Sequence, residues 1–211
     1  MPQSRDNATI RVWDPLVRIG HWVLVAAFAT AYLTEGEPEW LHTYAGYAIA
    51  VTVALRVVWG LAGPRHARFA DFVTGPRRVF AYLRGLATGR AERHVGHSPA
   101  GGAMTVALLF MLAVTAVSGM GTLAVEEGRG PLAGFVVSAP ETGGIRASGE
   151  NEEDYGEDHE DEAGEAWEEI HELAANATLL LVLLHVGGVI WASIAHRENL
   201  ARAMVTGRKR A

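Results

Sequence analysis

Four stretches of the chain, roughly residues 19–34, 40–62, 102–125 and 173–195, are almost free of charged side chains, with Arg56 the main exception. Charges fall in blocks between them. A helix needs ~20 predominantly apolar residues to cross ~30 Å of hydrocarbon. The last three stretches reach that length, and the first does so if Trp13 and Leu16 extend it through the interface. Inside lipid each backbone amide must be satisfied within its own segment, so the stretches are expected to be helices. The pattern predicts an all-α fold, a four-transmembrane-helix bundle forming a single domain over residues 1–211.

Charge sets the expected orientation. Arg5, Arg11 and Arg18 precede the first stretch, and Arg65, Arg68, Arg77, Arg78, Arg84, Arg90 and Arg93 lie between the second and third. Arg197, Arg202, Arg208, Lys209 and Arg210 follow the fourth. Excess Lys and Arg mark cytoplasmic segments, so both termini and the loop at 63–100 are expected in the cytoplasm. Glu35, Glu37, Glu39 and the acidic run from Glu150 to Glu169 fall on the other side. The net charge of -6 hides this segregation. A rival reading takes the first stretch for a cleaved signal peptide, with Ala29-Thr30-Ala31 as a small-residue site. Cleavage there would discard His21.

Two loops have distinct characters. Arginines alternate with Phe69, Phe72, Phe80, Tyr82 and Leu83 in the 63–100 loop, as in an interfacial helix on anionic lipid. Plain positive-inside topology explains the same charges, and nucleic acid binding is not expected. The loop at 126–166 is rich in Gly, Glu and Asp, and residues 140–163 at least are expected to be disordered.

Cysteine is absent, which excludes disulfides, cysteine-ligated iron–sulfur clusters and a covalently attached c-type heme. Four of the nine histidines stand at depths that interlock. His21 opens the first span and His42 the second, from opposite surfaces. His171 and His185 share the fourth helix, fourteen residues apart. At 3.6 residues per turn they differ by only ~40° in facing, and at 1.5 Å per residue by ~21 Å in height. His171 is thus level with His42, and His185 with His21. Two imidazoles at one level, on different helices, suit the two axial positions of a b-type heme. Small residues beside them, Gly46, Ala174, Ala175, Gly187 and Gly188, leave room for a macrocycle.

Arg56 lies fourteen residues beyond His42, on the same face at the inner level. A guanidinium at that depth requires a partner, either a heme propionate or a carboxylate such as Asp14. Arg18, one turn before His21, is a second propionate candidate or an interfacial anchor. His66, His94, His97, His159 and His196 lie outside the spans. His171-Glu172 begins a zinc-protease motif, but residue 175 is Ala and the motif fails.

These pieces, Arg18-Ile19-Gly20-His21-Trp22, His42-Thr43-Tyr44-Ala45-Gly46 and the His171/His185 pair, resemble the prokaryotic cytochrome b561 family, which includes the cytochrome b subunits of nickel–iron hydrogenases. Gly63-Pro64-Arg65-His66, Gly96-His97-Ser98-Pro99 and His196-Arg197-Glu198-Asn199-Leu200 resemble the same group, over most of residues 10–205. The resemblance implies two heme b groups, one on His21 and His185, the other on His42 and His171. It also implies electron exchange between a quinone pool and a periplasmic cytochrome or other redox protein. The long acidic insertion departs from compact members. Two other classes compete: a membrane anchor or assembly subunit of a respiratory or hydrogenase-like complex without its own redox role, and a proton or metal transporter. The transporter would need acidic residues in the span cores, and the sequence has none there.

Overall fold

The computed structural model describes residues 9–34, 37–136 and 152–211, with side chains of the last segment from residue 163 onward. In chain order the elements are β1 (Thr9–Arg11), α1 (Pro15–Thr34), α2 (Glu39–Ala62), α3 (Phe69–Phe72), α4 (Pro76–Ala87), α5 (Pro99–Glu127), α6 (Ala133–Val136), α7 (Glu152–Ala195), α8 (Leu200–Thr206) and β2 (Arg208–Arg210). Four helical stretches are long and apolar enough to span a membrane: Pro15–Thr34, Glu39–Ala62, Pro99–Glu127 and Ala163–Ala195. The expected all-α, four-helix architecture is what the chain adopts.

Local sequence fixes where the helices start. Asp14 Oδ1 accepts from the backbone N–H groups of Leu16 and Val17, with Pro15 at the first helical position of α1. Ser98 does the same for α5, its Oγ accepting from Gly101 N at 3.1 Å, followed by Pro99. Both arrangements satisfy amides that a helix start otherwise leaves orphaned. At the other end of α5, Gly128 takes a left-handed conformation, φ 61°, that stops the helix.

The helices alternate in direction. α1 packs on α2, α2 on α5, and α5 on α7 in the most extensive interface. At one end β1 and β2 pair antiparallel, Thr9 opposite Arg210 and Arg11 opposite Arg208. We call this the strand end, and the opposite one the far end. The loop containing α3 and α4 also lies at the strand end. An Arg93–Glu198 ion pair at 3.2 Å and a Lys209 Nζ bond to the His94 carbonyl at 3.2 Å tie it to the C-terminal segment.

The interior is built from Ala27, Phe28, Ala31, Ala45, Ile49, Val53, Leu109, Leu112 and Ala116. Outward faces remain apolar: Ile19, Val51, Leu55, Val58, Phe110, Leu183 and Ile190 are exposed. A bundle in water would carry polar residues on those faces, so lipid is the solvent they fit. In α4, Tyr82 and Leu86 are buried while Phe80 and Leu83 are exposed beside Arg77 and Arg84. α4 is therefore amphipathic.

The acidic loop differs from expectation. Residues 137–151 lie outside the described residues, so nothing bears on disorder over 140–151. From Glu152 the chain is helical, and α7 runs unbroken into the fourth span, so 152–163 join a helix instead of a disordered loop. Glu and Ala are good helix formers. Acidic side chains in a first turn favour the helix dipole, and the apolar stretch supplies the nucleus from which the helix extends.

Gly60 is a close-approach point. A Cβ there would run into the Phe69 ring, which packs over α2 and covers Arg56. Gly60→Ala is expected to displace Phe69 and cost ~1–3 kcal/mol, as overpacked core positions do. Thermal unfolding in detergent checks this, and Gly134→Ala, which adds its Cβ to open space away from the histidines, serves as the silent control.

Candidate functional site

The four histidines singled out by spacing come together as two pairs. His21 on α1 faces His185 on α7 with ring centroids 6.4 Å apart. His42 on α2 faces His171 on α7 with centroids 6.0 Å apart. All four rings are half-buried. The first pair sits toward the strand end and the second toward the far end, as the directions of α1, α2 and α7 require.

At the far-end pair both rings are oriented by backbone carbonyls. His42 Nδ1 lies 3.0 Å from the Ala31 carbonyl, and His171 Nδ1 lies 2.9 Å from the Thr115 carbonyl. A carbonyl only accepts, so each Nδ1 carries the proton and each Nε2 keeps its lone pair. Metal-binding histidines have this outer-shell arrangement. Ser118 Oγ adds a contact to His171 Nδ1 at 3.3 Å. Gly119 makes it possible for the ring to lie against α5, because a Cβ there would meet His171 Cε1 at 2.8 Å. A cavity of about 290 Å³ opens here, lined by both histidines with Ala31, Gly46, Thr115 and Ala175 among others. Glu39, Glu126 and Glu127 also line it, and Arg129 bridges Glu39 at 2.7 Å and Glu127.

The strand-end pair is different. Six side-chain polar atoms among the described residues are sealed from solvent with no hydrogen-bond partner: His21 Nδ1, Arg56 Nη1 and Nη2, Trp59 Nε1, Thr74 Oγ1 and His97 Nδ1. All belong to this half of the bundle. Arg56 is only 8 % exposed. Its guanidinium lies 5.1 Å from the Phe69 ring centre and 5.9 Å from that of Phe72. Asp14, one of the two partners foreseen for it, uses Oδ1 to cap α1, and no ion pair joins the two among the described residues. Arg18, the other foreseen cation, donates from Nε to the Met204 carbonyl at 3.4 Å and from Nη2 to the Val205 carbonyl. It secures the last turn of α8.

Of the histidines set aside, His94 bonds the Glu92 carbonyl and His196 the Tyr82 hydroxyl, both outside the spans. His97 is wedged between Trp13 and Phe72, with centroids at 4.6 and 4.1 Å. Burial, reinforced by the charges of Arg56, Lys209 and His66, lowers its pKa to about 3, so the ring is neutral at physiological pH.

Sequence reasoning missed α5 entirely as a site element. It carries no histidine, yet Thr115, Ser118 and Gly119 support His171. Their i, i+3, i+4 spacing on an otherwise apolar helix was the available signal.

Among the described residues no group of three or more His, Cys, Asp or Glu gathers around a common point. A pair of facing imidazoles without further protein ligands suits a metal whose remaining positions are filled by a macrocycle. A family model described as prokaryotic cytochrome b561 matches residues 12–207. No curated protein and no solved structure matches the chain. With four apolar helices and a match over nearly its whole length, the chain belongs to the prokaryotic cytochrome b561 family, multi-pass membrane proteins that bind b-type heme and transfer electrons.

Proposed function

We propose that the chain is a di-heme b-type cytochrome of the bacterial inner membrane, holding one heme between His21 and His185 and a second between His42 and His171. It carries electrons across the bilayer between the quinone pool and a periplasmic redox protein. The observation that carries the reading is the ring separation of the two pairs, 6.4 and 6.0 Å. Imidazoles on opposite faces of one metal, each bonded at ~2 Å, have centroids ~6 Å apart. The same gap recurs at two levels, between α7 and two different helices, which supports one shared metal at each pair.

When bound, heme supplies one-electron chemistry at iron, with potentials set by axial ligands, hydrogen bonding and burial. The chain's own residues supply position. Carbonyls of Ala31 and Thr115 hold His42 and His171 in the tautomer that leaves Nε2 basic. Gly46 borders the cavity with open space where a Cβ would stand, which supports access for a planar group. Arg56, buried and unpaired, fits a propionate of the strand-end heme. Arg18 retains Nη1 for the same purpose, although Nε and Nη2 already serve α8.

Orientation follows the charge. The strand end carries the arginine-rich loop and the basic 208–210 segment, so we assign it to the cytoplasm. The acidic far end faces the periplasm, where it favours a basic partner by complementary charge.

Two measurements test the proposal. The chain has no cysteine, so a single cysteine introduced at Ala211 or at Gly134 reports sidedness by labelling in intact cells. Labelling at 134 and protection at 211 are expected, and the reverse pattern overturns the orientation. For the ligands, His185→Ala is expected to lower heme content from two to about one per chain, the lost heme being that of the strand end. His42→Ala should remove the other. Retention of both hemes in either variant refutes the pairing, as measured by pyridine hemochrome against protein mass.

A further inference from the structure

The far-end pair is fully supported by hydrogen bonds, whereas every sealed, unpartnered polar atom among the described residues lies in the strand-end half. Such atoms destabilise the fold when nothing pairs with them, a buried guanidinium most of all. The Arg56 nitrogens and the Trp59 N–H can only donate, so this part of the bundle calls for an acceptor.

Arg56 and His97 share a neighbour. Both stand against the Phe72 ring, the guanidinium carbon at 5.9 Å and the imidazole centroid at 4.1 Å. Trp13 closes the other side of His97, and Lys209 Nζ lies 5.9 Å from the Trp13 ring. Trp59, three residues after Arg56 on α2, adds an indole N–H on the adjoining helical position. The charged or titratable groups facing His97 are Arg56, Lys209 and His66, all basic. Asp14, the nearby acid, caps α1 through Oδ1 and forms no ion pair with Arg56 among the described residues. Basic potential and sealed donors favour an anion with two oxygens.

We infer that Arg56 and His97 form a two-donor clamp for a carboxylate, with His97 acting as a positioning residue for a propionate of the strand-end heme. The inference rests on the di-heme reading. A neutral imidazole with Nδ1 protonated donates one hydrogen bond, and Arg56 supplies two nitrogens and the charge. Their shared oxygens are then held ionised, so proton uptake by the propionate stays outside the physiological range.

The test is redox titration of the purified holoprotein at several pH values, with heme content measured on the same samples. His97→Phe keeps the aromatic packing and removes the donor, and His97→Gln restores an N–H. Arg56→Gln removes the charge. We expect Arg56→Gln to lower the reduction equilibrium of one heme on the order of tenfold, about 59 mV for one electron. His97→Phe should move the same heme in the same direction by less and make its midpoint pH-dependent near neutrality, while His97→Gln returns the parent behaviour. The second heme should not move. Two hemes with unchanged midpoints at every pH in both Arg56→Gln and His97→Phe overturn the clamp and leave the di-heme reading intact. Unmoved midpoints with a raised KM for quinol would mean that the donors hold a quinone oxygen, which also overturns it. A parent protein without heme overturns the di-heme reading itself. Should Arg56→Gln fail to fold, the His97 pair decides alone.

Discussion

The site depends on one helix presenting imidazoles at two heights on one face. His171 and His185 are fourteen residues apart on α7, and that spacing alone lets a single element serve both ends of the bundle. The opposing rings come from helices that begin at opposite surfaces, α1 with His21 and α2 with His42. Because α1 and α2 are antiparallel neighbours, their first turns lie at opposite ends of the bundle. A shift of one residue in α7 would turn its rings by ~100° and separate both pairs at once.

The packing around that helix divides the work unequally. α5 makes the broad contact with α7, using Thr115, Ser118 and Gly119 to bring a carbonyl and a hydroxyl to His171. A buried Thr115–Thr178 hydrogen bond at 3.2 Å, about two turns along α7 from His171, fixes the relative height of the two helices. The far-end pair therefore stands in a satisfied polar frame. At the strand end the side chains supply donors without acceptors, and the surrounding charges are basic. Two chemically similar imidazole pairs thus sit in opposite electrostatic settings, acidic at the far end and basic at the strand end.

Much of this was legible in the chain because it follows from fixed periods. Span length, the fourteen-residue spacing and the segregation of arginines each map onto geometry without tertiary information. The four histidines, Arg56 and the family resemblance were all readable that way. Other features depend on contacts between distant segments. Nothing in the sequence around Gly119 announces that an imidazole from residue 171 will rest on it. Arg18 looked like a ligand partner or an anchor until the carbonyls of Met204 and Val205 came within its reach. The run before the fourth span was read from its charge as disordered, while its Glu and Ala content, joined to an apolar helix, gave a continuous α7 from Glu152. His97 lay in a polar loop by sequence and is enclosed by Trp13 and Phe72 in space.

Electron paramagnetic resonance of the oxidised, unaltered protein tests the central claim most directly, because it reads the axial ligands of each iron. The account predicts two low-spin ferric signals per chain of the bis-imidazole type, one from each histidine pair. A single signal, a high-spin iron lacking its sixth ligand, or no iron at all would contradict it.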